Sequence, residues 1–257
     1  MDAVAEKKPI TFNRWLPYWA VFQADVHQTL RSWVYRFWVL LSILATVGYL
    51  LYRFGIYHEV GIMQSASQHI SHLLRWIVLG STAIICVLTA GSISSERGTM
   101  ADSVLSRGIS RYQYFLGKWH ARLVTVLGTF LVLGLVTLVS ALLLLHEDLS
   151  WDGSLVGLLT VAFLLAAVIT CGVAVSAIAN STVLGIAILW AILYGGAFLL
   201  SFLPSRYPSP DRTLQRLPYI LQGHYDFGAL VQFAAWSILA SCAVALVGLI
   251  YFARRDV

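Results

Sequence analysis

SISSERGTMADSVLSRGISRYQYFLGKW, residues 92–119, is a charged, glycine-punctuated stretch set between two long apolar runs. Leu73–Ile93 leads into it and Val124–Leu145 follows it. A hydrocarbon core about 30 Å thick asks about twenty apolar residues of a helix, so a polar break of this kind reads as the turn between two membrane crossings. The same signature recurs outward in both directions, at Phe37–Ile56, Leu155–Ala179, Val183–Leu203 and Ala229–Phe252, which makes six expected spans. None of these runs alternates with period two, which sets a membrane β-barrel aside.

Composition agrees with that reading. The chain is 59% hydrophobic and 11% charged, with a mean hydropathy of +0.78. The expected fold is therefore an all-α membrane protein with six transmembrane helices. Cys86, Cys171 and Cys242 all fall inside expected spans without metal-ligand spacing, and read as small buried apolar residues. The first ~35 residues lack the short apolar core and small-residue cleavage site of a signal peptide.

The net charge of +5 invites a nucleic-acid reading, but the basic residues are distributed as membrane topology distributes them. Lys7, Lys8, Arg14, Arg31 and Arg36 precede the first run, while Arg97, Arg107, Arg111, Lys118 and Arg122 follow the second. Arg254 and Arg255 lie in the tail, and the opposite side holds Arg206, Arg212 and Arg216, with Arg53 and Arg75 at span ends. Lys and Arg collect on cytoplasmic flanks, so both termini and the loop 94–122 are expected in the cytoplasm, and no nucleic-acid partner is implied. Residues 1–36 form the cytoplasmic amino-terminal part and 37–257 the six-helix domain, with an external loop at 204–228 that holds four of the six prolines.

Within residues 11–36, Trp15, Trp19, Phe22, Val26, Leu30 and Trp33 recur every three or four positions, while Arg14, Gln23, Asp25, Gln28 and Arg31 fill the other face. This is the pattern of an amphipathic helix on the inner membrane surface, and equally of one packed against the protein's own spans. In the external loop, Leu217–Leu221 is apolar enough to dip into the membrane surface.

Spans three to six contain no Asp, Glu, Lys or Arg. Intramembrane ionisable groups mark proton relays and ion-coupled carriers, and charged rings mark selective pores, so both classes are disfavoured. The spans are instead rich in small residues: Gly172, Ala174, Ser176 and Ala177 in span four, and Gly185, Ala187, Ala191, Gly195 and Gly196 in span five. Ala191-x-x-x-Gly195 fits the small-xxx-small pattern of close helix approach and is a candidate dimer face.

The opening stretch is itself organised. Gly98 permits a sharp exit from the membrane, Thr99 and Asp102 fit a capping box that starts a short helix, and Arg107-Gly108 closes it. Ser110 then caps a second helix running through Tyr112, Phe115 and Trp119 into span three.

The order Glu96-Arg97-Gly98-Thr99, Val104-Leu105-Ser106, Ile109-Ser110-Arg111 and Gly117-Lys118 resembles the permease subunits of type-2 ATP-binding-cassette (ABC) transporters. The spacing from Glu to Gly-Thr is shorter here, and Gly108 stands where a proline is common in that family. The resemblance implies that the short cytoplasmic helix is a coupling helix seated in an ABC ATPase subunit, with Glu96, Arg97, Gly98, Thr99, Asp102, Arg107 and Arg111 facing or bracing that partner. It implies a cell-membrane location, multi-pass, in a bacterial or archaeal cytoplasmic membrane. A second permease copy would complete the transporter, as a homodimer or with a paralogous chain. The chain has no G-x-x-x-x-G-K-[ST] segment, so it is expected not to be an enzyme itself; ATP and Mg would be bound by the partner subunit.

Two other readings bear on the same residues. His69-x-x-His72 has helical spacing on the expected external side near Glu59, Glu147 and Asp148, a weak flag for a metal. Ser176 and Ser201 lie within spans that offer no His, Asp or Lys to activate them, which leaves an intramembrane hydrolase without its base. A membrane scaffold or anchor in an assembly or maturation complex is the stronger alternative to a permease, since it needs the spans but not the coupling helix.

Overall fold

Long unbroken apolar sequence with few glycines or prolines inside it has one low-cost backbone solution away from water, a helix that satisfies its own amides. The computed structural model describes residues 15–60, 66–96, 109–145, 149–202 and 209–254, and all regular structure among them is helical. In chain order the helices are α1 (Leu16–Arg31), α2 (Trp33–Val60), α3 (Ala66–Ser94), α4 (Arg111–Leu145), α5 (Trp151–Ile178), α6 (Thr182–Ser201), α7 (Pro210–Gln215), α8 (Leu217–Leu221) and α9 (Phe227–Arg254). Among the described residues, five stretches are long and apolar enough to cross a membrane: Trp33–Tyr52, Arg111–Leu143, Trp151–Ile178, Thr182–Leu199 and Phe227–Arg254. α3 is 29 residues long, with an apolar Gly80–Ser94 portion. The chain is thus a helical protein of multi-pass membrane type.

α5 is the centre of the bundle. It packs against α3, α4, α6, α8 and α9, and it has no polar face because almost every direction meets another helix. Small residues set those approaches. A Cβ on Gly172 would lie 1.9 Å from Thr89 Oγ1, and one on Gly248 would lie 2.9 Å from the Ala174 Cα. The small residues of span four therefore work within the protomer, as close-contact points between α5 and its neighbours.

The amino-terminal segment divides in two. α1 stops at Arg31, where Ser32 takes an extended conformation (φ −59°, ψ 133°), and Trp33 opens α2. The reading of a helix packed against the protein's own spans holds. Trp15, Trp19 and Leu30 point outward, while Val21, Asp25 and Thr29 are buried against α4. The expectation for Asp25 is reversed: it belongs to the inward face.

The segment expected as an external loop also departs from expectation. Its apolar residues Leu217 and Leu221, in α8, are fully buried in the protein's own core beside Leu158 rather than turned outward. Backbone ties hold it there, with Ser150 N–H donating to the Leu221 carbonyl at 3.0 Å. Gly223 leaves α8 with φ +86°, the left-handed conformation that glycine adopts without strain. Among the cysteines, Cys86 is buried and Cys171 partly so, but Cys242 is exposed on the protomer, contrary to the small-core reading.

Candidate functional site

The site is built where the first turns of α4 meet α1 and the end of α3. α4 begins with a reciprocal cap: Ser110 Oγ accepts from the Gln113 N–H at 3.2 Å, and Gln113 Oε1 accepts from the Ser110 N–H at 3.2 Å. From this fixed start, the 3.6-residue period places Tyr114, Lys118 and Arg122 on one face, turned toward α1 and the end of α3. Those two elements supply the acids, Asp25 and Glu96.

The five residues form one network. Lys118 Nζ donates to Glu96 Oε1 at 2.7 Å, to the Ser92 carbonyl at 2.8 Å and to Asp25 Oδ1 at 3.2 Å. Arg122 Nη2 donates to Asp25 Oδ1 at 3.3 Å, while its Nε stands 3.0 Å from Oδ2 as an ionic contact without hydrogen-bond geometry. Tyr114 donates its hydroxyl to Glu96 Oε2 at 2.5 Å, and the Lys118 ammonium stands 5.3 Å from the Tyr114 ring centre. Asp25, Lys118 and Arg122 are 2%, 3% and 6% exposed.

Burying such ions costs several kcal/mol apiece unless each is paired and hydrogen-bonded. Two acids and two bases cancel here, and Lys118 finds three oxygen acceptors. Burial alone would raise the Glu96 carboxyl, but the Lys118 ammonium, the hydrogen bonds from Lys118 and Tyr114, and the Arg122 charge outweigh it and hold the group below its ordinary value. Glu96 is therefore a carboxylate that accepts from both donors.

Further contacts spread from the same turns of α4. Arg111 Nη1 donates to the Ala253 carbonyl of α9 at 3.3 Å. Tyr114 stacks on Phe252 at 6.0 Å between ring centres. The Trp119 indole N–H donates to Thr170 Oγ1 of α5 at 3.1 Å, and Tyr18 of α1 shares a 2.8 Å hydrogen bond with His120 Nδ1. The last turn of α3 is fastened separately, since Ser176 Oγ of α5 accepts from the Ile93 N–H at 2.9 Å and the Ser94 N–H at 3.1 Å. Ser176 is thus a structural acceptor. The described residues on either side of positions 97–108 are thus tied to α1, α5 and α9 as well as to each other.

Of the residues named from sequence, Glu96 and Arg111 enter this assembly, and Glu96 turns inward to Lys118 and Tyr114. Arg97, Gly98, Thr99, Asp102 and Arg107, with the short helix expected there, lie outside the described residues. Ala191 and Gly195 sit on an exposed face of α6, and nothing lies within 4 Å of the place where a Gly195 Cβ would stand. His72 is exposed, the His69 side chain lies outside the described residues, and among the described residues no group of three or more His, Cys, Asp or Glu is placed to hold a metal ion.

Asp25, Tyr114 and the pairing roles of Lys118 and Arg122 escape a sequence reading. Their signal is present but faint. Val21, Asp25 and Thr29 recur every four residues, and Lys118 and Arg122 stand four apart on a helix about to enter the membrane. Compared with known proteins, the chain matches no family model and no curated protein sequence.

Proposed function

We propose that this chain is the transmembrane permease subunit of an ATP-driven type-2 ABC transporter, an exporter in which a separate ATPase subunit hydrolyses ATP with Mg. In this reading the chain crosses the membrane six times, with α3 as a crossing, and both termini lie in the cytoplasm. Two copies pair about an axis along the membrane normal, each carrying one ATPase.

The observation that carries the reading is the ion network at the root of the 97–108 segment. A loop that only joins two spans needs no buried charges at its base. Here Glu96 is bound to Lys118, and Lys118 to Asp25, so a push on the segment passes to α3, α4 and α1 as one body. Packed, ion-paired contacts transmit rigid displacements, whereas slack loops absorb them. The sequence order Glu96-Arg97-Gly98-Thr99 through Gly117-Lys118 supports the same role.

The test is purification of the full chain from its native membrane in gentle detergent, with identification and stoichiometry of what accompanies it. The expected result is a P-loop ATPase at one copy per permease, lost when Glu96 and Arg97 are both replaced by Ala. A chain that purifies without a nucleotide-binding partner would sink the permease reading and leave the scaffold role in its place.

A further inference from the structure

α1 and α2 are joined by a single residue. Ser32 stands between Arg31, the end of α1, and Trp33, the start of α2, with extended dihedrals (φ −59°, ψ 133°). Its two backbone groups serve opposite sides of the joint. The Ser32 N–H closes α1, donating to the Gln28 and Thr29 carbonyls at 3.0 and 3.1 Å, and the Ser32 carbonyl opens α2 by accepting from the Arg36 N–H at 3.1 Å. Rotation about the two soft torsions of Ser32 therefore turns α2 relative to α1 and leaves all three bonds intact. The exposed Arg36 side chain crosses the joint, its Nε at a long 3.4 Å from the Leu30 carbonyl.

The two helices differ in how they are held. α1 is fixed to α4 through Asp25, paired with Lys118 and Arg122, and through Val21, whose Cγ1 lies 2.9 Å from where a Gly117 Cβ would stand. α2 is held close to the joint. Tyr35 and Trp38 are buried there, the Tyr35 hydroxyl 2.6 Å from Thr129 Oγ1 of α4 and the Trp38 indole N–H donating to Ser81 Oγ of α3 at 2.9 Å. None of the residues from Val39 to Tyr52 is buried. In that stretch Thr46 Oγ1 reaches Thr137 Oγ1 of α4 at 3.5 Å, the outer limit of a hydrogen bond. A cleft of about 20 Å³, room for one water, lies between α2, α3 and α4 at the same level.

We infer that Ser32 is a hinge and α2 a lateral arm, which tilts as a rigid helix and parts from α3 and α4 along its far half while α1 stays on the bundle. Hinges are element-terminal residues whose dihedrals absorb a domain or helix movement. Segments with few buried contacts open at low cost while their surroundings stay folded. Position 38 lies about 9 Å from Ser32 along the helix and position 46 about 21 Å, so a tilt that barely shifts the Trp38 bond breaks the Thr46 contact.

The chain returns from Val60 to Ala66 of α3 through five residues, a link that reaches at most about 18 Å and bounds the swing. What the arm uncovers is the Leu133–Thr137 strip of α4, which lines the cleft. On the permease reading, on which the drive rests but the hinge does not, a displacement delivered at Glu96 reaches α2 through Lys118, Asp25 and α1.

The test is pulsed dipolar electron-spin resonance on the full chain in phosphatidylcholine vesicles, diluted with unlabelled chain so that each distance is read within one protomer. A nitroxide on α2, at Phe37, Leu44 or Val47, is paired with one at Leu239 of α9, all of them exposed positions. Val132 of α4, also exposed, paired with Leu239 gives the width set by the labels alone. Cys86→Ala, Cys171→Ala and Cys242→Ala keep the labels to the chosen sites. Thermal midpoints check that each labelled chain is folded, and any two α2 positions suffice.

A rigid tilt displaces each label in proportion to its distance from Ser32, so the broadening beyond the control is expected to be about three-fold larger at position 47 than at 37. Position 44 should fall between them. Ser32→Gly, which frees the joint, should enlarge all three in the same proportion. Equal broadening along α2, or none beyond the control, would overturn the hinge. So would far-end broadening that ignores Ser32→Gly, because it would mark bending within α2 instead. Co-purification of an ATPase is scored separately. The gradient without an ATPase upholds the hinge and fails the drive, and an ATPase without the gradient overturns the hinge alone.

Discussion

Asp25 is a buried carboxylate held by two cations, and its removal separates two kinds of charge burial. Replacing it with Asn leaves Lys118 and Arg122 in the same enclosed place with one acid between them. Breaking a buried pair from one side is costly, about 3–5 kcal/mol, because the surviving charge keeps its desolvation penalty without the attraction. Asp25→Asn is therefore expected to lower the thermal midpoint of the detergent-solubilised protein strongly, and Asp25→Asn with Arg122→Met to recover most of that loss. Equal midpoints for the single and double variants would show that the cations are not coupled to Asp25. Glu96 adds a pH dependence. Its carboxyl lies below the ordinary value when folded, so its stabilisation is fully present above about pH 4.3, the unfolded value, and is lost as pH falls through the folded one. Thermal midpoints measured on acidification should drop more steeply for the native chain than for Glu96→Gln, which begins lower and stays flatter. Little of this was legible beforehand. Composition marks Asp25 as one more polar residue on a solvated face, and only its partners Lys118 and Arg122, 93 and 97 residues away in sequence, reveal that the face is inward.

At the scale of elements, the sequence was far more informative, because hydropathy and capping are local properties. The apolar runs became helices, and the cap at Ser110 formed with Gln113 as its reciprocal partner. What stayed hidden was where short amphipathic pieces dock. Leu217–Leu221 has the same composition whether it meets lipid or Leu158, and only the ties from Ser150 and the seat against α5 decide between them. Small residues show the same division. Gly172 and Ala174 announce close packing, but the partner surfaces, Thr89 of α3 and Gly248 of α9, come from tertiary structure. Gly172→Ala would place a methyl 1.9 Å from Thr89 Oγ1 and 2.6 Å from its Cβ. Thr89 is buried and donates to the Ile85 carbonyl, so it has little room to turn away. Overpacking of this kind costs about 1–3 kcal/mol. The variant should lose that much stability, and Gly172→Ala combined with Thr89→Ala should regain most of it. A neutral single variant would mean that α3 and α5 separate more readily than this packing allows.

At the scale of the whole molecule, the two halves of the bundle are unequal in what they leave uncovered. α5 is enclosed, whereas much of α6 faces outward, with Val183, Ile192, Tyr194, Phe198 and Leu199 exposed. Ala191 and Gly195 lie on that outward side, and open space surrounds the Gly195 Cβ position. Inside the protomer a larger side chain at 195 therefore meets nothing. In the proposed pair it would stand between two helix backbones, since small residues spaced four apart allow the closest approach of helices in a membrane. The two outcomes are separable because they concern different equilibria. Gly195→Leu is expected to leave the thermal midpoint of the isolated protomer unchanged and to weaken dimerisation about five-fold or more, following the ~1–3 kcal/mol cost of an overpacked contact. The measurement is the dimer fraction in lipid nanodiscs or vesicles, by single-molecule photobleaching across a dilution series. An unchanged dimer fraction would place α6 against lipid and move the pairing surface to another helix. A lowered midpoint in the protomer would instead mean that α6 packs inward at 195, against the open space found there.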